Sequence, residues 1–123
     1  PMSRSRSVRS GDVLVAALPS RSPDGHEQVG TRPVVVVAVP VEPLRYPVIV
    51  VVPLTTRAGR WATANPSVYV GLSAGAGGLP FESTALLDQI GSIDVRRIQG
   101  YLGTLGDKDS AEILIRLRSM FEQ

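Results

Sequence analysis

The chain has 123 residues, of which 43% are hydrophobic and 20% are charged. This length suits one domain with one core, and the composition excludes an intrinsically disordered chain. The sequence contains no cysteine and a single histidine. These counts exclude a disulfide scaffold, a thiol nucleophile and a zinc site built from cysteines or several histidines, so we expect neither a metal nor a cofactor. Charged residues and prolines interrupt every long apolar run, which predicts a cytoplasmic protein without a transmembrane helix.

The net charge of +2 is unevenly distributed along the chain. Residues 1–60 carry eight arginines against four acidic residues (+4), whereas residues 61–123 carry five basic residues against seven acidic ones (−2). Twelve of the 13 basic residues are arginine, whose planar fork binds phosphate and stacks on bases. The bias fits contact with nucleic acid, but at the level of composition a GC-rich genome is the favoured explanation, so charge alone does not decide the function.

The first half of the chain predicts a basic arm followed by three strands. Residues 1–10 are rich in Arg and Ser and have no apolar period, which indicates a disordered arm preceding a domain at 11–123. A strand is predicted at 12–18. Two β-branched runs, at 32–39 and 47–54, predict strands buried on both faces. Polar loops are predicted at 20–31 and 55–66.

The second half predicts further short strands and one terminal helix. Strands are expected at 67–72, within 83–89 and within 93–102, and residues 73–80 read as a glycine-rich turn rather than a phosphate-binding loop. A helix is predicted at 107–121, with Asp107 and Asp109 as candidate N-terminal caps. Its apolar positions form one stripe: Ile113, Leu114, Leu117, Met120 and Phe121. Five or six short strands followed by one terminal helix predict a mainly β fold, a small, strongly bent, antiparallel barrel with a C-terminal α-helix.

The polar loops next to the two buried strands carry the residues best suited to chemistry. If these strands are neighbours, the loop ends meet at one cleft that offers an imidazole, a carboxylate, hydroxyls and guanidiniums. Such a cleft suits an anionic ligand better than an apolar one. Its residues would be His26, Glu27, Gln28, Arg32, Thr55, Thr56 and Arg57.

Four segments, in this order, resemble the MazF/PemK/Kid family of toxin endoribonucleases, also called mRNA interferases. They read GDVLVAAL at 11–18, GHEQVGTRPVVVV at 25–37, VVPLTT at 51–56 and LLDQIGSID at 86–94, and the amphipathic helix follows them. The resemblance implies an SH3-like barrel of five to seven strands with a C-terminal α-helix. It also implies a homodimer that cleaves single-stranded RNA at short sequences without metal, leaving 2′,3′-cyclic phosphate and 5′-hydroxyl ends. It also implies a cognate antitoxin, which inhibits the enzyme with an acidic, extended C-terminal segment.

The resemblance also assigns roles to individual residues. Arg32 matches the arginine that the family requires, and since a guanidinium group is a poor proton donor we assign it to charge stabilisation rather than proton donation. Thr55 matches the family's catalytic-loop threonine and would position phosphate or relay a proton, with Thr56 as a supporting contact. A purely structural role for Thr55, in a turn closed by its own hydroxyl, is the alternative.

Two further residues are candidates for acid–base catalysis. His26 matches the histidine of the Kid branch and titrates near neutrality. Asp88 matches that branch's catalytic aspartate, although it could instead fix a turn. The Kid branch also has an arginine two residues before this aspartate, where the present chain has Leu86. This departure favours a mechanism that uses the Arg/Thr pair of the MazF branch over one that uses the Arg/Asp/His set of the Kid branch.

The remaining candidates would contact RNA rather than perform chemistry. Glu27, Gln28, Arg57 and Gln89 are expected to contact bases or backbone or to orient the catalytic groups. Among the aromatic residues, Trp61 lies in a loop that could line the cleft and stack on a base, whereas Tyr69 and Phe81 are expected to pack in the fold.

Two other functions are compatible with such a fold. The first is a non-catalytic, CcdB-like toxin that binds DNA gyrase and cleaves nothing. The second is a degenerate family member that only titrates antitoxin.

Overall fold

The computed structural model describes residues 7–19, 28, 30–40, 47–57 and 59–122. Over these residues the chain is mainly β, as the sequence predicts, with seven strands and two α-helices. Their order is β1 (Asp12–Leu18), β2 (Gly30–Ala38), β3 (Val48–Thr55), α1 (Arg60–Ala64), β4 (Tyr69–Leu72), β5 (Ser83–Leu86), β6 (Gly91–Asp94), β7 (Ile98–Thr104) and α2 (Asp107–Phe121). Within this part of the chain, neither helix is long and apolar enough to span a membrane.

The strands form one antiparallel sheet in the order β4-β5-β3-β2-β1-β7. Strand β3 is the centre of this arrangement because its two ends pair with different partners on the same edge. Residues Val48–Val51 pair with β6, while Leu54 and Thr55 pair with β5. The 3-10 turn Leu87–Gln89 connects β5 to β6 at this change of partner. Asp88 and Gln89, the DQ pair of this turn, thereby lie beside the C-terminal half of β3.

The central strands are buried on both faces, as their β-branched runs predict. Val35 and Val52 belong to one hydrophobic cluster, which Ile113 and Leu117 of α2 complete. Val34 and Val36 belong to a second cluster on the other face, together with Leu14, Ile49, Val51 and Ile93. The polar residues of these strands therefore stand at their ends, outside the valine-rich middle of β2 and β3.

Helix α2 has the predicted bounds but not the predicted cap. Gly106 is the N-cap residue, and no side chain caps the helix. Asp107 and Asp109 lie within the first turn instead, where their negative charge is favourable next to the helix dipole. The apolar stripe is also narrower than predicted, because Leu114 is 40% exposed and Phe121 is 69% exposed.

Three connections differ from or refine the sequence prediction. The polar loop predicted at 55–66 contains the short helix α1. The strand region predicted within 93–102 is divided into β6 and β7 by a 3-10 turn at Val95–Arg97, whose N-cap Asp94 accepts a hydrogen bond from the Arg96 backbone N–H. Residues 73–80 do form a turn, with a 3-10 segment at Ala76–Gly78.

Candidate active site

The register of β2 and β3 brings Arg32 and Thr55 together. Val35 pairs with Val52 and Val34 with Pro53, so the same register two residues further on places Arg32 opposite Thr55. Alternate residues of a strand share a face, and both side chains therefore lie on the face that carries Val34 and Pro53. Both line the same cavity, of about 360 Å³. The sequence prediction that the two loop ends share one hollow is confirmed for this pair.

The cavity has a cationic and partly aromatic lining. Among the residues that the structure describes, it is lined by two arginines and by no aspartate or glutamate, which suits a phosphate group. Its lining residues are Gln28, Arg32, Thr55, Arg57, Trp61, Tyr69, Leu86 and Gln89. Its volume lies within the range of about 300–1,000 Å³ usual for small-ligand sites, so it has room for part of a nucleotide chain.

The Thr55 hydroxyl closes a local turn, and the residue lines the cavity. The side chain is only 6% exposed, and its Oγ1 accepts a hydrogen bond of 3.1 Å from the Arg57 backbone N–H. The alternative role predicted for this threonine, closing a turn with its own hydroxyl, is thus present. It leaves the hydroxyl hydrogen for donation, because a hydroxyl oxygen has two lone pairs besides its proton. The turn fixes the orientation of the hydroxyl without using its proton.

A hydrogen bond between Gln28 and Gln89 joins the first polar loop to the DQ turn. The Gln28 backbone N–H donates to Gln89 Oε1 at 2.7 Å. The side-chain oxygen of Gln28 itself is buried and has no hydrogen-bond partner among the described residues. His26 and Glu27, which precede it, lie outside the described residues.

Asp88 lies beside the cavity rather than in its wall. Its Oδ2 accepts a hydrogen bond of 2.8 Å from the Tyr69 hydroxyl, and this bond raises the pKa of Tyr69 above its usual value, with burial and the carboxylate charge adding to the effect. Asp88 lines an adjoining depression of about 230 Å³ together with Gln28 and Gln89. Asp88 thus contacts the site through a tyrosine that the sequence analysis assigned to packing.

The packing predicted for Phe81 is wrong, and the packing predicted for Tyr69 is only part of its role. Tyr69 lines the cavity, and its ring lies edge to face with that of Trp61, with centroids 4.7 Å apart and planes at 79°. Phe81 is 66% exposed and packs in no core cluster. Strand alternation gave a signal for Tyr69: Val70 and Leu72 are buried in the core, so Tyr69 lies on the opposite side of β4 at its end.

Thr56 lies outside this cavity. It is exposed and lines a neighbouring, larger cavity of about 800 Å³, between the β4–β5 ribbon and the two helices. Tyr69 lines both cavities. The larger one carries two carboxylates, Glu82 and Glu112, against one arginine, Arg116, and Arg116 is already paired with Glu112. Its charge is therefore less suited to phosphate.

The described residues do not offer a metal centre. No group of three His, Cys, Asp or Glu side chains among them is arranged to hold an ion. The chemistry that the arrangement offers is stabilisation of negative charge by guanidinium groups and hydrogen bonding by Thr55.

Solved structures with this fold include several bacterial toxins. The Mycobacterium tuberculosis toxin MazF-mt6 is 19% identical, with a TM-score of 0.67 over 90% of this chain and 96% of that one. An endoribonuclease in complex with its cognate antitoxin, from a mycobacterial species, is 18% identical, with a TM-score of 0.69 over 94% and 96% of the two chains. MazF from a MazE–MazF complex of Deinococcus radiodurans is 21% identical, with a TM-score of 0.64 over 93% and 95%.

The family is shown by the sequence itself. No match was found among curated protein sequences. The family described as PemK-like, MazF-like toxin of type II toxin–antitoxin system matches residues 9–121, nearly the whole chain. Arg32 of β2 and Thr55 of β3, which match residues of this family, line one cationic cavity. The chain belongs to the PemK-like, MazF-like toxins of type II toxin–antitoxin systems.

Proposed function

We propose that this MazF-like toxin endoribonuclease cleaves single-stranded mRNA at a specific short sequence, without metal, leaving 2′,3′-cyclic phosphate and 5′-hydroxyl ends. The observation that carries the proposal is the convergence of Arg32 and Thr55 on one cavity. Such an enzyme acts where mRNA is translated, in the cytoplasm.

The reaction requires charge stabilisation at phosphorus and two proton transfers. The ribose 2′-oxygen attacks phosphorus and loses its proton to a base, while the bond to the 5′-oxygen breaks and that oxygen receives a proton from an acid. Negative charge grows on the non-bridging oxygens as the pentacoordinate transition state forms. Arg32 is suited to these oxygens because its planar, positively charged fork can donate two parallel hydrogen bonds to them.

Thr55 and His26 divide the remaining roles in this proposal. The Thr55 hydroxyl, oriented by the Arg57 backbone N–H, donates to a phosphate oxygen or relays a proton. His26 is the side chain whose ordinary pKa suits both proton uptake and proton release near neutrality. Asp88 is the second candidate base, but its carboxylate already accepts a hydrogen bond from the Tyr69 hydroxyl.

The other polar residues of the site are proposed to bind the RNA strand. Arg57 would pair with a second phosphate, and Gln28 and Gln89 would contact base edges from one side of the cavity. Glu27 and Thr56 would extend the contacts to neighbouring nucleotides. Trp61, which is 42% exposed at the cavity, would stack on a base.

The proposal includes two protein partners. One is a second copy of the chain, giving a homodimer. The other is a cognate antitoxin whose acidic, extended segment occupies the cationic cavity and excludes RNA. Complexes of mycobacterial and D. radiodurans proteins of this fold with antitoxins support the second partner.

The test is incubation of the purified protein with single-stranded RNA in excess EDTA, followed by analysis of the product ends. We expect cleavage at one sequence, 3′ ends blocked by cyclic phosphate, and strong loss of cleavage in Arg32→Ala. Arg97→Ala is the matched control, because Arg97 is exposed on the turn between β6 and β7, away from the cavity.

Four outcomes would contradict the proposal. Cleavage that needs added metal would refute the mechanism, and so would full activity in Arg32→Ala. Intact RNA together with retention of gyrase by the immobilised protein would favour the CcdB-like alternative. Intact RNA with antitoxin binding and no growth arrest on induction would favour the degenerate one.

A further inference from the structure

We propose that Asp88 is a positioning residue that acts through Tyr69, and that Tyr69 and Trp61 together form an aromatic wall on which one base of the RNA stacks. This inference rests on the proposed function and deepens it. It replaces the role of catalytic base considered for Asp88 and adds Tyr69 to the substrate-contacting residues.

The aromatic wall, Trp61 and Tyr69, is one packed unit contributed by two elements. Trp61 belongs to the short helix α1 and Tyr69 begins β4, and their rings meet edge to face at 4.7 Å. This is a favourable arrangement for two aromatic quadrupoles. Both residues line the cavity that holds Arg32 and Thr55. A single-stranded RNA with its phosphate at Arg32 would therefore find an aromatic surface within the same hollow, as base recognition requires.

Asp88 anchors this wall from outside the cavity. Its carboxylate accepts the Tyr69 hydroxyl at 2.8 Å, and it is itself held in the 3-10 turn Leu87–Gln89. The Leu87 backbone N–H of this turn donates to the Val68 carbonyl at 3.0 Å, next to Tyr69 in the chain. The tyrosine is thus tied to the turn twice, through backbone and side chain. A tyrosine phenol is protonated in the neutral range at its ordinary pKa, and the contact with Asp88 raises the pKa of Tyr69 further, so the phenol donates to the carboxylate.

The position of Asp88 argues against direct proton transfer to the RNA. Tyr69 lines the cavity and Asp88 does not, and the described contact of the carboxylate is with the phenol. A base for the ribose hydroxyl must come within hydrogen-bond reach of it, directly or through one water. Tyr69, rather than Asp88, is therefore the group that we expect a bound RNA to meet in the cavity.

The rest of the cavity complements a base held on the wall. Leu86, which pairs with Tyr69 across β4 and β5, adds apolar surface. The buried Oε1 of Gln28 is an acceptor that lacks a partner among the described residues. A buried acceptor is stabilised by a donor, and the amino and imino groups at base edges supply one.

Trp61 provides a direct readout, because it is the only tryptophan in the chain. The probe is an all-deoxy copy of an RNA that the wild-type protein cleaves, which lacks the attacking 2′-hydroxyl and cannot be cut. We expect it to quench Trp61 fluorescence, and Trp61→Ala to bind a dye-labelled probe about 5- to 150-fold more weakly, as expected for the loss of one base stack.

The variants separate positioning from proton transfer. Tyr69→Phe and Asp88→Ala each break the same hydrogen bond, so both should weaken binding and quenching by a similar factor, and the double variant should be no worse than either single one. Asp88→Asn keeps an acceptor for the phenol, so it should cleave and bind within a few-fold of wild type. Tyr101→Phe is the matched control, because it removes a phenol on β7 that does not line this cavity.

Two results would overturn the inference while leaving the proposed function intact. One is a loss of cleavage of about 100-fold or more in Asp88→Asn with unchanged probe binding, since this is the signature of a general base. The other is an unquenched Trp61 in a wild-type protein that cleaves RNA and binds the probe. A wild-type protein that cleaves no RNA would instead refute the proposed function and, with it, this inference.

Discussion

Arg32 is half-buried in β2, two residues before the fully buried stretch that begins at Val34, and it lines the cavity. Two substitutions separate the effect of its shape from that of its charge. Arg32→Lys keeps the positive charge and loses the planar fork. We expect Arg32→Ala to lower the cleavage rate by about 10²- to 10³-fold, the usual effect of removing one group that stabilises transition-state charge, and Arg32→Lys to fall between this variant and wild type. Single-turnover cleavage of a short RNA measures both. A lysine variant as fast as wild type would show that charge alone suffices.

Thr55 combines a structural and a chemical role in one hydroxyl, and two substitutions separate them. Thr55→Ser keeps the hydroxyl, whereas Thr55→Val keeps the shape and leaves the Arg57 backbone N–H without its acceptor. We expect the valine variant to lose cleavage strongly and about 1 kcal/mol of stability, and the serine variant to lose little of either. Cleavage rates and denaturant unfolding measured on the same samples test this. A valine variant that is destabilised yet fully active would assign Thr55 to the turn alone.

At the scale of elements, the glycine turn at 73–80 packs its backbone closely against β7. Gly78 has a φ of +78°, and a Cβ added there would lie 2.1 Å from the Leu102 carbonyl oxygen. Gly75 also has a positive φ, of +92°, but a Cβ there would meet nothing within 4 Å. We expect Gly75→Ala to cost about 1–2 kcal/mol from backbone strain, and Gly78→Ala to cost clearly more because strand β7 must also move. Urea unfolding compares the two variants, and equal losses would contradict the close approach.

The sequence could predict the strands and the terminal helix because their patterns are local. The valine runs of β2 and β3 and the stripe of α2 are periodic over many residues, and the structure has them nearly where the patterns end. Helix α1 was missed because its five residues are too short for a helical period. The cap of α2 was wrong because Gly106 takes the cap position, and two aspartates in a first turn look like caps in sequence.

The candidate site was predictable where motif and strand register coincide, and not where contacts cross the fold. The closeness of Arg32 and Thr55 follows from the pairing of two neighbouring strands. Tyr69, in contrast, contacts Asp88, which lies 19 residues further along the chain. Tyr69 also contacts Trp61, which belongs to a helix that the sequence did not predict. No local pattern encodes such a contact. The exposure of Phe81 has the same origin, because an isolated aromatic residue in a turn carries no period that assigns it to a face.

For the whole molecule, the modest net charge and the cationic cavity make different predictions about RNA binding. A net charge of +2 attracts RNA over long distances, but salt screens this attraction beyond about 8–10 Å. Arginines that touch phosphates displace counterions, and the logarithm of the binding constant then falls with the logarithm of salt by about 0.7 per contact for single strands. The slope therefore counts local contacts rather than total charge.

Arg57 is the residue on which this distinction can be measured. It is exposed at the cavity, and Arg57→Gln should weaken binding of the uncleavable probe and reduce the magnitude of the salt slope by about 0.7. Lys108→Gln removes the same unit of charge from the exposed first turn of α2, away from the cavity, and should leave the slope unchanged. If both variants changed the slope equally, binding would follow the charge of the whole molecule, and the cavity would not be the place where the RNA backbone is held.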